Sequence, residues 1–383
     1  MSIPDESAVV SHYSGERLTA VYRLAGDEAE ARARALDICL EQTVELPDAL
    51  VTQPDIREQI IGRVESLRPV SDQGYEAEIS FAVESVGAEL SQLVNVLFGN
   101  ISIKPGVRLE RFELPASLAG RYRGPRFGRA GLRAAVQVND RPLLCTALKP
   151  MGLSPRALAA LAYQLALGGI DIIKDDHGLA DQPFAPFQER VARCAEAVTR
   201  ANVETGLHCV YAPNVTAPAS AILERGAFAH AQGAGALLIC PGITGLDAMR
   251  ELAGDERIAL PVLSHPAFQG SFVASRESGI SHFCLFGQLN RLAGADAVIF
   301  PNYGGRFSFT PGDCRVLVAG TEYEMGVKPI FPTPAGGMSL ERVPEMRTMY
   351  GREVILLIGG GLRAHSPDLV ANCRYFRALV DKF

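Results

Sequence analysis

Lys174, Asp175, Asp176 and His177 follow one another directly, closing the stretch Gly168-Gly169-Ile170-Asp171-Ile172-Ile173. An amine, two carboxylates and an imidazole in four successive positions could build a metal site. They could equally form a Lys174–Asp176 ion pair beside a surface histidine, since structural ion pairs also gather charge. A short β-branched run that ends abruptly in polar residues is the pattern of a buried parallel strand delivering side chains to an opening. Side chains alternate along a strand, so Lys174 and Asp176 share one side and Asp175 points elsewhere. Other chemistry-bearing residues stand just after other apolar runs: Lys149, Asn214 and His265. Two glycine clusters, Gly336-Gly337 and Gly359-Gly360-Gly361, offer bare backbone N–H groups to an anion or make tight turns.

The elements that would bring these residues together can be counted. From Leu143 onward eight strand-like runs alternate with helical ones: 143–148, 170–173, 208–211, 236–240, 259–263, 297–300, 329–331 and 354–358. Eight βα units in some 250 residues predict a (β/α)8 TIM barrel rather than a doubly wound sheet, which seldom uses eight parallel strands in series. In a barrel all eight strand ends face one mouth, so Lys149, Lys174, Asp176, His177, Asn214 and His265 converge there. The glycines after strands seven and eight take the usual phosphate position of such barrels.

Before the barrel, residues 17–24 alternate like a strand and 27–38 read as a helix. Cys39–Glu45 reads as a strand ending in acids; 60–67 and 75–83 read as two more. A helix over 88–98 stops at Gly99-Asn100, and a strand over 107–114 closes the unit. The order predicts an N-terminal α+β, ferredoxin-like βαββαβ unit with one extra strand. Glu41 and Asn100 fall at element ends, where side chains can project, although Asn100 could serve only as a cap. Pro115–Arg133, rich in Gly, Pro and Arg, reads as a linker. The expected domains are therefore 1–125 and 126–383.

Composition narrows the function classes. The net charge is −6 and no Lys/Arg-rich run occurs, which argues against nucleic acid as the main partner. No apolar stretch reaches the ~18 residues of a membrane span. Met1–Glu6 lacks the features of a secretory signal. The eight cysteines are scattered without a Cys-x-x-Cys pair, which predicts buried, reduced thiols in a cytoplasmic protein.

Lys149-Pro150-Met151-Gly152-Leu153-Ser154, the Gly168–His177 stretch running on to Gln182-Pro183-Phe184, the two glycine clusters, Phe98-Gly99-Asn100 and Glu41 resemble the ribulose-bisphosphate carboxylase superfamily over nearly the whole chain. The resemblance implies that Lys174 reacts with CO2 to give a carbamate, which binds Mg2+ together with Asp176 and His177. It implies proton transfer by Lys149, substrate binding by His265, and phosphate binding by Gly336, Gly337, Gly359 and Gly360. It also implies a homodimer, or a larger assembly of dimers, in which Glu41 and Asn100 reach the mouth of the partner's barrel. Four departures bear on the activity. Met151 replaces a second lysine with one residue missing, and Pro266 replaces a phosphate-holding arginine. Pro301–Phe309 has no lysine to polarise CO2, and His177 replaces a carboxylate ligand. The chain thus resembles the RuBisCO-like, form IV branch rather than the carboxylases.

The expectation drawn from this is an Mg2+-dependent enzyme acting on a phosphorylated keto-sugar acid through a metal-bound enolate. Decarboxylation, or transcarboxylation with hydrolytic C–C cleavage, of 3-oxo-isoapionate 4-phosphate is the leading form. Alternatives are an enolase or isomerase of the methylthioribulose salvage route and a non-catalytic sugar-phosphate binder. The family's enolase carries a lysine base where this chain has Asn100, which counts against that variant.

Overall fold

The structure, a computed structural model, describes residues 13–70 and 74–381. The chain divides into two units, one ending at Arg121 and also taking in Ser275–Gly279, the other formed by the rest.

In the first unit the strands β1 (Arg17–Leu24), β2 (Arg63–Val70), β3 (Gly74–Ala82) and β4 (Val107–Glu113) form an antiparallel sheet in the order β4-β1-β3-β2. A helix, Glu28–Glu41, follows β1, and a second, Leu90–Phe98, follows β3. This is the ferredoxin-like order, and Leu18, Ala20, Ile79 and Phe81 of the sheet are buried with Ala31, Ala35 and Ile38 of the first helix. The predicted strand Cys39–Glu45 does not form. The first helix starts at a capping box between Asp27 and Glu30 and runs on to Glu41. Thr43 and Val44, within the expected strand, lie in the turn after it. The extra strand of this sheet comes instead from far along the chain, at 279–280 beside β4.

The second unit is the barrel. Its strands are β5 (Leu143–Leu148), β6 (Ile172–Asp175), β7 (Val210–Ala212), β8 (Leu237–Ile239) and β9 (Val262–Ser264). The two-residue β10 (Gly279–Ile280) comes next in the chain and is the strand just placed in the small sheet. The barrel continues with β11 (Ala297–Pro301), β12 (Phe331–Ala335) and β13 (Ile355–Leu357). The hydrogen-bonded orders are β13-β5-β6-β7 and β12-β11-β9-β8, all parallel. A parallel bridge from Asn214 to Leu238 joins the two sets on one side, and β12 lies against β13 on the other. Cys145, Ile172, Ala212, Leu238, Leu263, Ile299, Phe331 and Leu357 fill one common interior. The helix Pro155–Leu167 after β5 begins with a Ser154 cap and Pro155 in its first turn.

The sequence placed strand two at 170–173 and strand seven at 329–331. Both lie further along the chain. β6 carries Lys174 and Asp175 within it, because the parallel pairing with β5 and β7 extends to Leu148 and Ala212 and holds the polar end in the sheet. β12 runs through Pro332 and Pro334, which argue against a central strand. Phe331 donates to Asp296 O, and Ala335 O accepts from Asn302 N, so the odd-numbered residues bond toward β11. The prolines fall on the side of β13, where the ladder is already broken, and lose no bond there.

The expected linker over 115–133 is also partly helical. Gly128–Val136 is a helix whose Leu132 and Val136 join the barrel interior. Asp296, just before β11, pins it by accepting from Phe127 N and Gly128 N, and accepts from Val262 N with its other oxygen. Asp171 does the same work before β6, accepting two bonds from Arg141 and one from Leu144 N. Rivets at the strand starts leave the strand ends free for function. Among the described residues no helix is long and apolar enough to cross a membrane, and all eight cysteines are free and buried.

Candidate active site

Lys174 is the second-last residue of β6 and is almost fully buried. Its ammonium nitrogen has a single neutral acceptor, Asp175 O at 3.0 Å. Burial lowers its pKa, and nearby Lys149 adds to that; Cys145, Asp176 and Asp175 oppose the shift without reversing it. A lysine in such a place is ready to be a neutral amine, the form that reacts with CO2.

Asp176 sits one position past the strand. Its Oδ2 is 2.5 Å from Lys149 Nζ at the end of β5, and its Oδ1 is 2.8 Å from His177 Nδ1. The His177 contact is close but out of line for hydrogen bonding, so among the described residues Oδ1 is a buried oxygen without a donor. Burial by itself would raise the Asp176 carboxyl. The His177 and Lys149 contacts, then the charge of Lys174, outweigh burial and hold it below the usual carboxylate range. The His177 ring stacks on that of His265 from the end of β9, with centroids 4.3 Å apart and planes 11° from parallel. Burial, then the charges of Lys174 and His177, hold the His265 pKa well below that of free imidazole. His265 Nδ1 accepts from Ala267 N, which leaves the ring proton on Nε2.

The residues expected at one mouth therefore meet: Lys149, Lys174, Asp176, His177 and His265. Asn214 is there as well, but in a supporting part. Its side-chain amide donates to His177 O and Leu179 O, so it holds the loop that presents His177. The sequence reading missed the floor beneath. Asp175, turned away from Lys174 as alternation requires, accepts from Arg190 Nε at 3.1 Å, Tyr211 Oη at 2.7 Å and Asn214 N at 3.0 Å. Arg190 reaches on to Ala180 O and Ala185 O, tying down the same loop. A buried arginine on the helix Phe187–Thr205 was its only trace in the sequence.

The glycine clusters follow β12 and β13. Gly336 and Gly337 have φ of +78° and +82°, a conformation other residues adopt only under strain. Gly359 comes beside Lys149, whose Cε would lie 3.8 Å from a Cβ there, and Gly360 opens the short helix Gly360–Ala364 with open space around it. Glu41 and Asn100 belong to the first unit. Asn100 is not the helix cap, a part taken by Gly99. Its amide donates to Glu41 at 3.1 Å and Glu45 at 3.0 Å.

A metal has a plausible seat here. Asp176 Oδ1 is an orphaned buried acceptor, and two neighbouring donors of one octahedral Mg2+ stand about 3 Å apart, as Oδ1 and His177 Nδ1 do. Among the described residues no three His, Cys, Asp or Glu side chains cluster as ligands. A further protein donor would have to come from Lys174 as its carbamate.

The profile of the ribulose bisphosphate carboxylase large chain, catalytic domain, matches residues 129–307. Ribulose bisphosphate carboxylase-like protein 1 of Rhodopseudomonas palustris is 42% identical, over 95% of this chain and 98% of its own. The 5-methylthioribulose-1-phosphate isomerase of Rhodospirillum rubrum is 41% identical, over 95% and 96%. The crystal structure of a Rubisco-like protein from Rhodopseudomonas palustris superposes with a TM-score of 0.87 at 39% identity, covering 96% of this chain and 98% of the other.

Proposed function

The chain belongs to the ribulose bisphosphate carboxylase large-chain family, among its RuBisCO-like members, and from that premise we propose an isomerase that moves a proton between carbons of a phosphorylated keto-sugar, of the 5-methylthioribulose 1-phosphate kind. The observation that carries this reading is the position of Lys149. Its amine touches the candidate metal ligand Asp176, and its stem passes the candidate phosphate glycine Gly359. A substrate held by its phosphate at Gly336, Gly337, Gly359 and Gly360 would bring its carbonyl carbons to that amine. The similarity to the Rhodospirillum rubrum isomerase supports the choice of reaction.

In this reading Lys174 as carbamate, Asp176 and His177 hold Mg2+, which supplies Lewis-acid polarisation of the substrate carbonyl. Lys149, having first given up its ammonium proton, would as the neutral amine take the proton from the carbon next to that carbonyl and return it to the neighbouring one. Asp176 orients the lysine. His265, neutral and carrying its proton on Nε2, donates to a substrate oxygen. The Asp175–Arg190–Asn214 floor keeps His177 in place while this happens. The acting unit is a homodimer in which Glu41 and Asn100 serve the partner's barrel.

A second reading is decarboxylation or hydrolytic cleavage of a β-keto acid phosphate such as 3-oxo-isoapionate 4-phosphate. It is favoured by Asn100, whose amide is committed to two carboxylates and offers no base. Breaking a C–C bond yields the enolate without proton abstraction, and Lys149 then only protonates it.

The test incubates the full chain with Mg2+ and bicarbonate in D2O and follows the phosphorus and proton NMR spectra. Conversion of 5-methylthioribulose 1-phosphate to an isomer supports the first reading. Turnover of 3-oxo-isoapionate 4-phosphate alone would replace it with the second. Enolisation of a diketo-methylthiopentyl phosphate alone would make the protein an enolase. Binding without turnover of any of them would leave a sugar-phosphate binder.

A further inference from the structure

We propose that Met151 selects the substrate by its tail, its thioether being the surface on which an apolar, sulfur-bearing end opposite the phosphate rests. This deepens the keto-sugar phosphate reading above and rests on it, and it gives a part to a residue of the Lys149 loop that the mechanism leaves unused. Three neighbouring strands carry the groups concerned, in the order β13-β5-β6. Gly359 follows β13, Lys149 and Met151 follow β5, and Asp176, His177 and Gly178 follow β6. The contacts run in the same direction. The Lys149 stem passes Gly359, its amine reaches Asp176, and the Met151 methyl lies on Gly178, where a Cβ would come within 2.9 Å of Cε and 3.9 Å of Sδ. Neighbouring strands stand about 4.8 Å apart, so these contacts cross about 10 Å of the mouth. A five-carbon keto-sugar with its phosphate at Gly359 and its carbonyl at Lys149 therefore directs its far end toward Met151.

The backbone of Gly178 does not require a glycine, since its φ lies outside the left-handed region. What the residue lacks is a Cβ, and the Met151 methyl takes that space. The chain beneath is fixed. Gly178 O accepts from Gln182 Nε2 at 2.7 Å, and Asn214 donates to the carbonyls on either side, His177 O and Leu179 O. Above it Met151 is 53% exposed, between the charged Lys149 and the polar His177. A methionine there presents an adaptable, polarizable apolar surface to the mouth. A terminal hydroxyl laid on that surface gives up water and gains no partner, whereas a methylthio group gives up nothing.

The experiment compares 5-methylthioribulose 1-phosphate with ribulose 1-phosphate, which has a hydroxyl in place of the methylthio group. The full chain is used with Mg2+ and bicarbonate, as the native protein, Met151→Leu and Met151→Gln, each checked by circular dichroism. Binding is titrated by calorimetry in a Lys149→Ala background, which keeps the substrate unconverted, and turnover is followed by NMR with Lys149 present. With Met151 the methylthio compound is expected to bind about tenfold to a hundredfold more tightly, the worth of one or two apolar groups. Met151→Leu keeps most of that preference and Met151→Gln loses it, through weaker binding of the methylthio compound alone. A preference that survives in Met151→Gln, or is absent with Met151 in place, overturns the assignment even if both compounds are isomerised. A preference lost in Met151→Gln, with no turnover of either compound, keeps Met151 as the tail contact and removes the isomerase reading. If neither compound binds, both fall.

Discussion

Lys174 illustrates how position alone changes the chemistry of a residue. The same side chain on the surface would stay an ammonium and ligate nothing. Buried at the end of β6, with one carbonyl for company, it loses the hydration that favours its charge. CO2 adds only to the neutral amine, so carbamate formation rises with pH. The lowered pKa brings that rise below the range of free lysine, near 10.4. Incubation with bicarbonate and Mg2+ across a pH series, with the carbamate trapped and read by mass spectrometry, should show uptake at Lys174 at lower pH than at the exposed lysines. Lys174→Ala should lower turnover by about a thousandfold or more, the worth of several kcal/mol of carbonyl polarisation. Its circular dichroism should match that of the native protein, because among the described residues no ion pair of the fold includes the Lys174 ammonium. Activity indifferent to both bicarbonate and Mg2+ would remove the metal reading.

At the scale of elements, the site depends on the loop between β6 and the helix Phe187–Thr205. Three groups grip it from below: Arg190, Asp175 and Asn214. Asp175 and Arg190 are both fully buried, so neither can turn to water if its partner is removed. Arg190→Met should cost about 3–5 kcal/mol, the usual effect of leaving one charge of a buried pair alone. Denaturant unfolding checks that figure. A second measurement separates stability from function. In the Asn214→Ala protein, whose charges are intact, metal affinity should fall about tenfold or more as His177 loses its support. Calorimetric titration of Mg2+ in the presence of bicarbonate reads it. Unchanged affinity would mean that the loop holds His177 without the amide.

At the scale of the whole molecule, the candidate functional residues are divided between two units. Glu41, Glu45 and Asn100 form a hydrogen-bonded group in the small unit, while all candidate metal and phosphate residues are in the barrel. If the acting form is a dimer with sites shared between subunits, defects in different units can complement each other. Asn100→Ala and Lys174→Ala homodimers should each be impaired. Unfolding and refolding them together should yield mixed dimers with one intact site and recover about a quarter of native activity, by random pairing in closed two-fold assemblies. No recovery, with mixed dimers present by native mass spectrometry, would put every functional residue of a site on one chain.

Local pattern settled much in this protein before any packing was known. Eight apolar runs alternating with helical ones specify a barrel, because buried parallel strands read as apolar runs whatever surrounds them. Polar residues just past those runs specify the mouth, and alternation separates Lys174 and Asp176 from Asp175 with no further information. Ser154-Pro155 marks a helix start in the same local way. Other features depended on partners distant in sequence. Cys39–Glu45 has strand-like residues, yet the helix that starts at the Asp27–Glu30 capping box carries through to Glu41. Pro332 and Pro334 are tolerated in β12 only because the sheet opens on that side. Gly128–Val136 is a helix because the barrel has an open end for Leu132 and Val136 to fill. The Lys149–Asp176 contact and the Asp175–Arg190 floor join residues 27 and 15 positions apart. Periodicity records which side of an element faces inward. Which groups then meet, and which are left without a partner, is decided by the closure of the barrel.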